Sequence, residues 1–425
     1  MILSNLSTAL LGVVDTAVVG HLSEPYYLGA VTIGAVIFSF LYWGLTFLRM
    51  GTTGITAQVH GGGDAAGMRT ALGQSLMLGG LLSLLVLITQ HPIIDSAIWM
   101  VNGSAPVESY AREYFMVRIW STPAVLANLV ILGWLLGMQN ARGPLVILLC
   151  INAINIVLDI VFVVVLHLDV KGVALASLFG EYAGLGLGLL IVSRELRLYP
   201  GVWRWDKLKD AVTFRRMLAI NHNIFIRTLL LIFVFAFFAA QGARQGDVIL
   251  AANAVLLNFQ MLMALVLDGF AHAVEALIGR AIGLRRREAF SEAIKLAAIW
   301  SGFGAFLFTA IFALIGGWFV FVMTDIEEVR ITALNYLPWV IISPVISVWC
   351  YVLDGIFIGA TRAVEMRNTM LLSVFLVYLP SWYLLQFLGN HGLWLAFLIF
   401  MAARGVSMGA VFFRIRRSTG FVPAA

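Results

Sequence analysis

The chain has 425 residues, of which 61% are hydrophobic and 12% charged, with a formal net charge of +5. A soluble globular domain carries roughly a quarter charged residues, so the composition excludes that class and implies a chain that is mostly bilayer-embedded helix. The positive excess sits in loop Lys and Arg, which fits the cytoplasmic loops of a membrane protein and excludes nucleic acid as the partner.

At about 20 residues per span, this length allows roughly twelve membrane helices. The apolar runs predict spans at 1–20, 28–60, 68–92, 108–138, 144–166 and 170–193. A basic amphipathic linker at 194–216 follows, then spans at 217–241, 248–283, 288–323, 330–360, 368–388 and 391–414. The expected division is therefore a first lobe at 1–193, a cytoplasmic linker at 194–216, a second lobe at 217–417 and a tail at 418–425. Gly61-Gly62-Gly63-Asp64, Arg142-Gly143-Pro144, Arg285-Arg286-Arg287 and Gly389-Asn390-His391-Gly392 mark the breaks. No cleavable signal is expected, because the first apolar run continues into Asp15 without a small-residue cleavage site. The little apolar sequence before Asp15 implies a first helix that began upstream. Cys150 and Cys350 lie in apolar runs and have neither metal nor disulfide spacing.

With twelve spans the loop charges sort by side. Arg194, Arg197, Arg204, Lys207, Lys209, Arg215 and Arg216 fall on one side, with Arg280, Arg285, Arg286, Arg287, Arg362, Arg367, Arg414, Arg416 and Arg417. The other side holds mainly Glu24, Asp95, Glu108, Asp169, Asp247, Asp325, Glu327 and Glu328. The positive-inside rule then places the linker and both termini in the cytoplasm of a multi-pass inner-membrane protein.

Two of these spans carry a carboxylate in mid-membrane, Asp15 in the first and Asp159 in the fifth. An ionisable group there is costly unless it faces protein, water or a partner, so function is its default reading. Asn152, Asn155 and Asp159 lie at i, i+3 and i+7, one polar face on a helix of Ile, Val and Leu. The bland alternative is a pair of aspartates that tie neighbouring helices together. In the second half Asp268 and Glu275 share a face of the eighth helix and Asp354 lies on the tenth. They form either a second polar site or ion-pair partners for Arg227, a charge that must be neutralised if buried. For Gln58, Asn253, Asn258 and Gln260, a helix-to-helix hydrogen bond is the simpler role, and His222 marks the end of the seventh helix.

Matches recur at an offset of 222: Leu28-Gly29-Ala30 with Leu250-Ala251-Ala252, Gln58–Gly61 with Arg280–Gly283, Tyr114 with Tyr336, and Gly137–Ala141 with Gly359–Ala363. Six spans per half is an even number, so the halves insert as parallel repeats. At the same offset Asp15 aligns with Phe237, Asn155 with Val377 and Asp159 with Ser381, so the acids belong to one half. No phosphate loop, His-rich metal spacing or nucleophile elbow is present, so neither ATP nor an enzymatic reaction is expected.

With these segments the chain resembles the multidrug and toxic compound extrusion (MATE) family, in its DinF-like branch. The resemblance rests on Leu11–Gly20, Leu132–Gly137, Asn155–Asp159, Asp268–Ala276 and Leu353–Arg362, and it covers nearly the whole length. It implies an all-α membrane protein of twelve helices in two pseudo-symmetric six-helix lobes forming a V, and export of organic cations in exchange for inward H⁺ or Na⁺, with no cofactor. It also implies a monomer whose functional acids are Asp15 and Asp159, with Asn155 and Asn152 as polar partners. Where the sodium-coupled branch has an acid after the tenth helix, this chain has Met366, which favours protons as the coupling ion. Similar proteins often have a proline where Ala9 stands, so no kink is expected there.

The expected function is proton-driven multidrug efflux. Na⁺ coupling and lipid-linked oligosaccharide flipping are the transport alternatives. An intramembrane protease dyad is the enzymatic one, and it lacks the Gly-x-Gly-Asp pattern at both acids.

Overall fold

With no water in the hydrocarbon core, a spanning chain must satisfy its backbone groups internally, and long apolar runs therefore wind into helices. A computed structural model of the chain describes residues 25–101, 103–208, 210–418 and 420–422, and every regular element among them is helical. The chain divides into two compact units between Leu218 and Ala219.

In the first unit, α1 (Pro25–Leu45) and α2 (Phe47–Gly61) form one run interrupted at Thr46, whose hydroxyl donates to the Trp43 carbonyl at 2.7 Å. Helix α3 (Ala65–Ile88) follows and, after a break at Thr89, α4 (Gln90–Val101). Next come α5 (Ala105–Arg118) and α6 (Thr122–Gly137), joined through a 3₁₀ turn at Ile119–Ser121. The unit continues with α7 (Arg142–Asp159), widened into a π-helical stretch at Ile160–Val165, then α8 (Asp169–Leu198) and the single turn α9 (Trp205–Leu208).

Helix α10 (Ala211–Ala243) carries the chain into the second unit. That unit contains α11 (Asp247–Gly283), α12 (Arg287–Met323) and α13 (Glu327–Gly359). Then come α14 (Ala363–Leu371), a π stretch at Leu372–Tyr378, α15 (Leu379–Leu384), a 3₁₀ turn at Gln386–Leu388 and α16 (Asn390–Arg417).

Among the described residues, ten helical runs are long and apolar enough to cross a membrane. The span expected at 1–20 lies outside the described residues. The one expected at 368–388 is helical but wound in four pieces, so no single α-helical piece there is long enough alone. The surface is apolar where lipid would lie: Leu314 is 84% exposed and Phe387 80%.

Within the stretch at 194–216, α8 runs on to Leu198 and α10 begins at Ala211. Arg69 holds the end of α8 by donating to the Leu196 carbonyl at 2.8 Å, and Gln74 donates to the Lys207 carbonyl at 3.0 Å. Asp210 starts α10 by accepting from the Thr213 amide at 3.1 Å and the Val212 amide at 3.3 Å. The Thr213 hydroxyl and these two amides hold the Asp210 carboxyl below its ordinary range.

The repeat at 222 is a property of the backbone. In the first unit, a Cβ added to Gly133 would lie 2.4 Å from the Arg49 carbonyl oxygen, and one on Gly137 2.8 Å from that of Thr53. In the second, the equivalent Gly355 approaches the Ala271 carbonyl at 2.7 Å and Gly359 the Glu275 carbonyl at 2.5 Å. The helix ends match too. Gln139 and Thr361 take φ of 62° and 55°, and Gly63 and Arg285 take 69° and 55°. Each left-handed residue closes its helix through the next residue's amide, as Asn140 N to Leu135 O and Arg362 N to Phe357 O show, both at 2.9 Å.

Two of the intramembrane polar residues bridge helices, as the simpler reading had it. Asn253 on α11 and Asn390 on α16 exchange amide hydrogen bonds at 2.8 and 2.9 Å, and Trp394 Nε1 donates to Asn253 Oδ1 at 2.9 Å. Ser343 on α13 donates to Gln260 Oε1 at 3.0 Å. Asn258 instead turns back onto its own helix, to the Ala254 carbonyl at 2.9 Å, and His222 is exposed and lies inside α10 rather than at its end, because the helix begins at Ala211.

Candidate functional site

Helix α7 is amphipathic in the sense a membrane requires. Val157 and Leu149 on its outer side are 58% and 45% exposed, while Asn152, Asn155 and Asp159 are buried, Asp159 completely. The expected polar face therefore points into the first unit. Opposite it stands α8, brought close by glycines. A Cβ on Gly180 would lie 3.1 Å from the Ile151 carbonyl, and one on Gly184 2.3 Å from the Ile151 side chain. The close approach lets Asn155 Nδ2 donate to Ser177 Oγ at 3.1 Å. Ser177 escaped the sequence reading because a hydroxyl in a membrane helix ordinarily bonds its own backbone.

Immediately after Asp159 the helix widens into the π turn at Ile160–Val165, a feature common at functional sites. Its closing bonds run from Leu166 N to Val161 O and from Leu168 N to Phe162 O, both 2.9 Å. Asp15, the partner expected for Asp159, lies outside the described residues.

The second unit holds a separate buried charge cluster. Arg227 on α10 and Arg404 on α16 both donate to Asp354 Oδ2 on α13, Arg404 at 2.8 Å. All three are at most 7% exposed, and the Arg404 guanidinium also lies 5.6 Å from the centre of the Phe400 ring. The possible second polar site of Asp268, Glu275, Asp354 and Arg227 thus has Asp354 and Arg227 joined as an ion pair. Glu275 is buried at a helix crossing, beside Gly359, and Asp268 is half-buried further along the same helix. Sequence reasoning missed Arg404, although an arginine ten residues ahead of the basic end at Arg414 stood in an apolar run.

A third charged group was also missed. Glu181 on α8 is partly buried, and Asn128 Nδ2 on α6 donates both to its Oε2 at 2.8 Å and to its carbonyl at 3.0 Å.

With this geometry in hand, comparison with known proteins decides the family. A model of the MatE family matches residues 1–161 and matches again over 223–384, so the two matches begin 222 residues apart. The chain belongs to the MatE family. It is 45% identical over 416 residues to the DNA damage-inducible protein F of Escherichia coli strain K12, covering 97% of this chain and 90% of that protein. A crystal structure of MATE in the bent conformation superposes with a TM-score of 0.90 at 20% identity, over 98% of this chain and 93% of that one. The outward-facing conformation of a multidrug resistance MATE family transporter of the MOP superfamily gives 0.87 at 20% identity, over 99% and 94%. Like its MatE relatives, this chain is a multi-pass membrane transporter and not an enzyme.

Proposed function

We propose that this chain is a proton-driven antiporter that exports small organic cations across the inner membrane. The observation that carries the reading is the completely buried carboxylate of Asp159, on the one polar face of a helix whose other side is lipid-facing apolar surface. Asp159 and Asp15 are the proton-exchanging acids, with Asn155 and Asn152 as polar supports. A proton taken from outside neutralises the buried carboxylate and removes its need for water. The first helix then repacks, the bound cation loses its counter-charge, and inward opening returns the proton to the cytoplasm. The lobes run over 1–193 and 217–417, both termini are cytoplasmic, and the working form is a monomer. Membership of a family whose relatives include a multidrug resistance transporter supports drug-like cations as substrates.

The test is ethidium transport in everted vesicles under a pH gradient without Na⁺, and then under a Na⁺ gradient without a pH gradient. Transport on the pH gradient alone is expected. Asp159→Asn is expected to abolish it while folded protein stays near the wild-type level. Transport on Na⁺ alone would refute proton coupling, and loss of transport only through loss of folded protein would assign Asp159 a packing role.

A further inference from the structure

Asp159 is not the last carboxylate along the face between α7 and α8. The two helices run antiparallel, and their contacts set the register. Gly172 lies against Phe162, Asn155 against Ser177, Gly184 against Ile151 and Gly188 against Ile147. Continuing that register puts Glu181 level with Asn152, seven residues from Asp159, or about 10 Å along the axis at 1.5 Å per residue. The polar groups therefore form a ladder. Asp159 is at one end, Asn155 and Ser177 lie at the next level, and Asn152 with Glu181 below them.

The surroundings of Glu181 are those of a proton site and a poor seat for an organic cation. Asn128 fixes one carboxylate oxygen and leaves the other available. Arg118 on α5 acts on Glu181 electrostatically, and its guanidinium lies 5.0 Å from the centre of the Phe38 ring and 5.4 Å from that of Tyr114. Tyr42 on α1 is also within electrostatic range, with its hydroxyl 3.1 Å from Ser121 Oγ and 3.3 Å from Thr122 Oγ1. A bulky cation would meet the positive charge of Arg118 there. A proton merely converts the carboxylate to a carboxylic acid.

We propose that Glu181 is a further proton-carrying carboxylate of this transporter, which receives the coupling proton from Asp159 along this ladder. The proposal rests on the coupling reading above. In the step, the O–H bond of the Asp159 carboxylic acid breaks, a proton crosses through water hydrogen-bonded to Asn155, Ser177 and Asn152, and an O–H bond forms on the Glu181 carboxylate. Charge and atoms balance, and the negative charge moves back to Asp159. Release of that proton on the far side returns Glu181 to the carboxylate and completes the step.

Two measurements on the full chain in lipid vesicles test this. In an infrared acid titration with isotope-labelled glutamate, one glutamic acid carbonyl band is expected to vanish in Glu181→Gln and to persist in Asp159→Asn. In proteoliposomes, Glu181→Gln is expected to bind ethidium as the wild type does without a gradient, yet to lose about tenfold or more of its pH-driven accumulation. Glu181→Asp, which keeps a titrating group, is expected to retain accumulation with a displaced pH profile. A Glu181→Gln protein with the wild-type titration and accumulation overturns the proposal. So does one that has also lost ethidium binding, because that marks a cation seat or a packing role. If Asp159→Asn accumulates ethidium like the wild type, the coupling reading fails and the relay from Asp159 fails with it, whatever Glu181 does.

Discussion

Replacing Asp354 with alanine is expected to destabilise the second unit by about 3–5 kcal/mol, because it strands two buried guanidinium groups. Arg227 and Arg404 both donate to the same oxygen of Asp354, and neither is more than 7% exposed. Removing the acid leaves two like charges buried in a low-dielectric interior without their ion-pair partner. Thermal unfolding of the detergent-purified protein would measure the loss, along with the yield of monodisperse protein. The triple replacement Arg227→Met, Asp354→Leu, Arg404→Met removes all three charges of the ion-paired cluster, leaving Asp268 nearby, and is expected to recover much of the stability. A single Asp354→Ala protein as stable as the wild type would mean that water reaches the cluster.

The second large effect is expected at the paired glycines. Gly133→Val and Gly355→Val should each cut the yield of folded protein severely, for one shared reason. A Cβ at Gly133 would stand 2.4 Å from the Arg49 carbonyl and one at Gly355 2.7 Å from that of Ala271. The obstacle is backbone, which cannot turn aside as a side chain can, so α2 and α6, and α11 and α13, must separate. Overpacking of this kind costs about 1–3 kcal/mol or more, and small residues are what allow membrane helices to approach so closely. Gly302→Ala is the control, since a Cβ there meets nothing within 4 Å. The same measurement applies, and equal yields for Gly302→Ala and Gly133→Val would refute the close-contact argument.

Some of this architecture was legible in the sequence and some was not. The Asn152, Asn155, Asp159 stripe could be read because polar residues at helical spacing in an apolar run have one tolerable direction, inward. The 222-residue repeat could be read because its matches fall at helix ends and close crossings, where backbone geometry restricts side-chain choice. That Arg227 could pair with one of Asp268, Glu275 and Asp354 followed from the cost of a lone buried charge, but that rule selects neither the partner nor the partner count, and so did not reveal Arg404. Glu181 was hidden for a related reason: one acid on a helix, seen without its neighbours, gives no sign that Asn128 on α6 will meet it. The breakup of the span at 368–388 depends on local winding, which hydropathy does not register.

The repeat has a consequence for ancestry. The halves share the close crossings at Gly133 and Gly355 and at Gly137 and Gly359, and the left-handed turns at Gly63 and Arg285 and at Gln139 and Thr361, yet the charged and polar groups of the two sites described above do not recur. Glu181, Asn128 and Arg118 align with Ala403, Cys350 and Val340, while Asp354 and Arg404 align with Leu132 and Tyr182. The simplest history is a gene duplication that fixed the scaffold first, after which each copy acquired its charges separately. On that history, the paired crossing glycines predate the duplication, and the acids are younger than the fold that buries them.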